Sequence, residues 1–104
     1  MSISSEHWLD TDGNPAGGCT YGTGFAISWQ NGPIGSGTSQ AKPNGASVED
    51  VVYAALNRLE FFQTSKFACS ENEHAISMIK AALHFLEQRD KDREKRGVEG
   101  RNVP

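Results

Sequence analysis

The sequence predicts an α+β fold, a small N-terminal antiparallel β-sheet followed by a two-helix antiparallel hairpin. Three observations carry that expectation. Nine of the 11 glycines and three of the four prolines precede Ser47. Only Glu6, Asp10, Asp12 and Lys42 are charged in the same stretch. After residue 46, two segments repeat apolar residues at spacings of three and four, the period of an amphipathic helix. With 104 residues, 37% of them hydrophobic, a single domain spanning residues 1–104 has a modest core, near the size where oligomerisation helps.

Residues 1–22 hold turn chemistry, Asp12-Gly13-Asn14-Pro15 and Gly17-Gly18. Too few apolar residues are present to assign an element, so the stretch reads as flexible or as an edge segment, with a short edge piece around Trp8. Residues 24–30, GFAISWQ, alternate Phe25, Ile27 and Trp29, the pattern of a half-buried strand. Asn31-Gly32-Pro33 ends it. Residues 23–46 are therefore a strand and a glycine-rich loop, the latter of a length that is usually functional. Residues 47–100 form the hairpin. Ser47 starts the first helix with Glu49 and Asp50 at its positive end, and the helix runs to about residue 63. Val48, Val52, Ala55, Leu59 and Phe62 make its apolar face. Ser70 and Glu73 have the spacing of a reciprocal capping box for the second helix, which stops at Gly97.

Two stripes run along that second helix. Ile76, Ile79, Leu83 and Leu86 form the seam that packs on the first helix. Beside it Ala75, Met78, Ala82 and Phe85 continue into Arg89, Arg93 and Arg96, which fall within about 60° of one another at 3.6 residues per turn. A groove leading into guanidinium groups suits a ligand with a base at one end and phosphates at the other. A solvated helix end is the plainer alternative, because Glu87, Asp90, Asp92 and Glu94 interleave with the cations and pair at i,i+4, as Glu87 does with Lys91.

Several function classes are disfavoured. A net charge of −3 argues against a general nucleic-acid polymer binder. Cys19 and Cys69 lie far apart with no metal spacing and read as reduced thiols. His74 and His84 occupy different helical faces, so no metal is expected. Gly35-Ser36-Gly37-Thr38-Ser39 lacks the lysine of a phosphate loop, and Asp10, Asp12 and Gly13 are only a fragment of a calcium loop. The N-terminus lacks a leader pattern and no apolar run is long enough to span a membrane, so a cytoplasmic protein without a membrane partner is expected. Nothing assembles a nucleophile, base and oxyanion site, and the chain reads as a binder, not an enzyme, with no cofactor.

Phe67-Ala68-Cys69, Glu71-Asn72, Ala81-Ala82-Leu83-His84-Phe85-Leu86, Arg89, Asp92-Arg93 and the tail Arg96-Gly97-Val98-Glu99-Gly100 resemble the signature of the phage Thoeris anti-defence family and its helical hairpin domain. Trp29-Gln30-Asn31-Gly32-Pro33 and Asn44-Gly45 resemble that family's N-terminal part. The resemblance covers most of residues 24–100. It implies a sponge in the host cell cytoplasm that sequesters, without cleaving, the cyclic ADP-ribose isomers (gcADPR) made from NAD by TIR-domain enzymes. It also implies dimerisation through the helices, with ligand pockets at the dimer interface. Some members form trimers of dimers, and some hold cyclic di- or trinucleotides of the CBASS defence system in separate pockets. Carried over by position, Phe62 stacks on adenine, Asn72 makes a polar contact, and Arg89 and Arg93 face the pyrophosphate. Trp29 joins them as an expected ligand contact. Arg96, Gly97, Val98, Glu99 and Gly100 would line a second nucleotide site. The sequence departs from the family at Ser70, at Lys80-Ala81 and at Arg101-Asn102, which puts the second site and the hexamer in question. The glycine-rich loop from Gly35 to Gly45 is a candidate lid. An enzyme degrading the NAD-derived signal through Glu71 or Asp92, and a small regulator binding nucleic acid or a host protein, are the competing functions.

Overall fold

The computed structural model describes residues 2–32 and 42–97. The element order is β1 (Ser4–Leu9), β2 (Pro15–Gly22), β3 (Phe25–Trp29), α1 (Val48–Phe62) and α2 (Ser70–Lys95). This is the expected α+β arrangement of an antiparallel sheet preceding two helices. Two compact units result, one holding the sheet and the other the hairpin residues Val48–Asp92.

The sheet is an antiparallel meander, β1-β2-β3. β3 is the strand its alternating residues predict. β1 and β2 occupy a stretch where the sequence suggested only an edge piece around Trp8. The glycines of β2 hid it, because glycine weakens a strand unless close packing requires it. Here packing does require it, since a Cβ on Gly17 would lie 3.0 Å from both the Trp8 ring and Asn31 Cβ. Asp10 builds the β1–β2 turn. Its Oδ1 accepts from the backbone N–H of Asp12 at 2.9 Å and of Asn14 at 3.0 Å. The acidic fragment is thus an Asx turn. On one face Thr20 joins all three strands, with Trp29 Nε1 donating to its Oγ1 at 2.9 Å and Ser5 Oγ 3.0 Å away.

In the hairpin, α1 begins and ends within a residue of the expected limits. The contacts between the helices step in opposite directions along them. Arg89 meets Glu49 at 3.1 Å, the Tyr53 hydroxyl donates to Glu87 at 3.0 Å, and Lys80 lies 3.9 Å from Glu60. That is the pattern of an antiparallel pair. Leu56 and Leu83, 6% and 4% exposed, are the buried hydrophobic side chains among the described residues. Leu83 sits in the predicted seam, with Ile76, Ile79 and Leu86 half-buried around it. The face of α1 needs correction. Val52, Leu59 and Phe62 are half-buried, but Val48 and Ala55 are exposed and Leu56 is deepest. At 100° per residue the buried arc is rotated about 25° towards Leu56.

The start of α2 is where it was expected, but its cap differs. Ser70 is already helical and its Oγ donates to Glu71 Oε2 at 3.4 Å, so the Ser70–Glu73 box is not what closes the end. Cys69 is the capping residue, its carbonyl accepting from the Glu73 N–H at 3.3 Å. Gln63 brackets it, with Oε1 accepting from Cys69 N and Nε2 donating to Cys69 O, both at 3.1 Å. One side chain thus accepts from the Cys69 N–H and adds a second donor to the carbonyl that Glu73 already uses. At the other end Gly97, with φ of +73°, donates its N–H to Glu94 O at 3.0 Å and stops the helix.

Candidate functional site

Apart from Trp29, the residues expected to meet a ligand fall into two groups, one at the elbow of the hairpin and one near the C-terminal end of α2. At the elbow of the hairpin, Phe62 closes α1 half-buried and Asn72 lies in the first turn of α2. Asn72 Nδ2 reaches the Phe67 carbonyl at 3.5 Å, a long contact that leaves its amide oxygen for another donor. The Phe62 ring is 6.3 Å from that of Phe61, tilted by 44°. Arg58 lies over both, its Cζ 5.2 Å from the Phe62 centroid and 5.3 Å from that of Phe61. The positions of Phe61 and Phe62, three and four residues after Arg58, made that contact legible in the sequence.

Beside this group is an open cleft of about 540 Å³ lined by Glu60, Gln63, Glu73, His74, Ile76 and Ser77. Two glutamates make it unsuited to a pyrophosphate. Neither Phe62 nor Asn72 lines it.

The other group stands near the C-terminal end of α2. Arg89 donates through one Nη to Glu49 at 3.1 Å and lies 3.4 Å from Asp90 Oδ1 through both Nε and that same nitrogen. Its side chain is still half exposed, so donors remain available. Burial raises the Glu49 carboxyl above its ordinary value, Asp90 adds to that rise, and Arg89 opposes it. Arg93 is half-buried, its Nε shut off from solvent, and it makes a polar interaction of its own. Arg96 is exposed and likewise engaged, and Gly97 ends the helix. Val98, Glu99 and Gly100 lie outside the described residues, as do Arg101 and Asn102. The charged end is therefore not uniformly solvated.

Between the two groups the second stripe is open to solvent, with Met78 68% and Phe85 71% exposed. Tyr53, Phe61 and Phe67 add further exposed apolar surface on the hairpin. Asn72 and Arg89 are separated by 17 positions of one helix, or about 25 Å at 1.5 Å per residue. Arg93 is one turn further on. A ligand filling a usual pocket of ~300–1,000 Å³ is about 10 Å across. One chain cannot present Asn72 and Arg89 to the same small molecule.

Trp29 belongs to the sheet unit and is half-buried, with its indole N–H committed to Thr20. The motif pieces around it, distant in sequence, lock together. Asn44 accepts from Asn31 N at 2.8 Å and donates to Asn31 O at 2.9 Å, while its own N–H donates to Gln30 Oε1 at 2.9 Å. Ala46 bridges Ser28 and Gln30. A Cβ on Gly45 would meet the Trp29 carbonyl carbon at 2.5 Å, so this crossing needs glycine. The proposed lid lies mostly outside the described residues. Asn44 and Gly45, at its described end, belong to this clasp. Cys19 and Cys69 are free thiols. Burial, together with the Glu6 carboxylate 3.5 Å away, pushes the Cys19 thiol up. Among the described residues no His, Cys, Asp and Glu group is placed to hold a metal, and no helix is long and apolar enough to cross a membrane.

A meander sheet followed by a side-chain-capped helical hairpin defines a small α+β protein. No family model matches the chain. It is 39% identical over 74 residues to Thoeris anti-defense 1 of Bacillus phage SBSphiJ7, a match covering 71% of this chain and 49% of that relative. The chain thus belongs to the Thoeris anti-defence family, and the match spans about half the length of the curated relative.

Proposed function

We propose that the chain is a phage anti-defence protein that binds gcADPR and withholds it from the host effector, without cleaving it. The observation that carries the reading is the separation of Asn72 from Arg89 and Arg93 along α2, with Phe62 at the elbow end beside Asn72. Two copies packed antiparallel through the exposed Met78 and Phe85 stripe would bring Asn72 of one beside Arg89 and Arg93 of the other. The ligand's base then stacks on Phe62 and its pyrophosphate meets the arginines, with charge-assisted bonds replacing part of the Glu49–Arg89 contact. Tight retention needs apolar enclosure and pre-organised donors but no activated nucleophile. The name of the relative favours this anti-Thoeris reading over an enzyme.

The test uses mixed chains. Asn72→Ala and Arg89→Ala proteins each bind gcADPR weakly, but co-refolded together they regain tight sites, because a mixed dimer holds one site with both residues intact. Failure to regain binding places Asn72 and Arg89 in separate roles and removes the two-chain site. Sequestration is tested by incubating gcADPR with excess protein, denaturing it, and analysing the supernatant. Intact recovery is expected, and conversion would make the protein an enzyme. Native mass spectrometry distinguishes two chains from six, and titration with a cyclic dinucleotide tests the second site at residues 96–100.

A further inference from the structure

The Arg58 guanidinium is seated against the two rings that close α1, and no carboxylate pairs with it among the described residues. This contrasts with Arg89, which two carboxylates hold. Phenylalanine rotates broadly about its outer torsion, so a ring at an exposed helix end does not hold one plane by itself. Phe61 is 57% exposed and gives Phe62 little confinement. A planar cation lodged 5.2 and 5.3 Å from the two centroids supplies it, because the ring faces are negative and a guanidinium stacks on them.

We propose that Arg58 is a positioning residue of the ligand site, its guanidinium fixing the plane in which Phe62 receives a purine base. The inference rests on the reading of Phe62 as the base-stacking residue. With the ring held beforehand, less side-chain freedom is lost when the base arrives. The guanidinium also draws on the face of Phe62 that it covers, leaving the other to the base.

Two measurements test it, the first without ligand. In the full-length free protein, Arg58→Met, which keeps an apolar stem, should shift and broaden the Phe62 ring signals in aromatic ¹³C–¹H spectra while leaving those of Phe85 unmoved. Unchanged Phe62 signals would overturn the inference and leave the ligand reading intact. The second is a double-mutant cycle with gcADPR as the probe. Arg58→Met should weaken binding about two- to fivefold, the size of a cation–π contact at an exposed site, and should have no further effect in a Phe62→Leu background. The same loss in both backgrounds would mean that Arg58 meets the ligand directly and would overturn the positioning role. No binding by the wild-type protein would overturn both readings, a result distinct from bound ligand with an indifferent Arg58. Arg58→Gln is the second variant, expected to behave as Arg58→Met does.

Discussion

Truncating Phe85 asks whether the open stripe of α2 is covered by a second copy. In one chain Phe85 is 71% exposed and its ring touches little besides that of His84, edge-on at 5.7 Å. Full burial of a phenylalanine is worth ~1.5–3 kcal/mol, so the third that is buried contributes about 0.5–1 kcal/mol. If a second copy covers the ring, truncation removes core packing and costs about 3–5 kcal/mol. Leu83, two residues earlier and 4% exposed, provides the reference, because Leu83→Ala loses ~2–5 kcal/mol with or without a partner. The assay is urea unfolding at protein concentrations differing a hundredfold. For a dimer that folds only as a dimer, each tenfold dilution lowers stability by ~1.4 kcal/mol. The expected result is a Phe85→Ala loss comparable to that of Leu83→Ala, with midpoints that fall on dilution. A Phe85→Ala loss below about 1 kcal/mol with midpoints independent of concentration would refute helix-mediated dimerisation, and with it the two-chain site.

Three further outcomes follow from individual contacts. Arg93→Ala should weaken gcADPR binding by about 1.5–3 kcal/mol, the range for hydrogen bonds to a charged group, and unchanged affinity in calorimetry would take Arg93 out of the site. Burial raises the Glu49 carboxyl above 4.5, so the folded state keeps that proton to higher pH than the unfolded chain does. Its stabilising contribution is complete below the unfolded value and is lost as pH rises through the folded one. Glu49→Gln cannot ionise and should therefore show a shallower loss of stability across that window, whereas parallel stability–pH curves would contradict the assignment. Asn44→Ala removes both side-chain bonds to Asn31 and should quicken amide exchange at Asn31 about fivefold, as expected for ~1 kcal/mol of lost hydrogen bonding. Unchanged exchange would mean that the clasp adds nothing to local order.

The sequence by itself determined the features that neighbouring residues control. The alternation of Phe25, Ile27 and Trp29 specified β3, the seam ending in Leu83 and Leu86 specified the packed face of α2, and Gly97 specified its stop. The choice of cap was less legible, because Ser70 and Cys69 are adjacent and only the position of Gln63 shows which one is bracketed. β2 stayed hidden for a related reason, since its glycines read as turn residues until Trp8 and Asn31 are seen occupying the space beside Gly17. What only the tertiary structure decided are pairings distant in sequence, Glu49 with Arg89, Tyr53 with Glu87, and Asn31 with Asn44. Local spacing carries no information about such partners, which depend on how two whole elements pack. The positions that resemble the Thoeris anti-defence signature were legible as residues. That Asn72 and Arg89 stand about 25 Å apart follows once α2 is one unbroken helix. The rigidity of its hydrogen-bonded backbone keeps those two positions apart, and the proposed two-chain site rests on that separation.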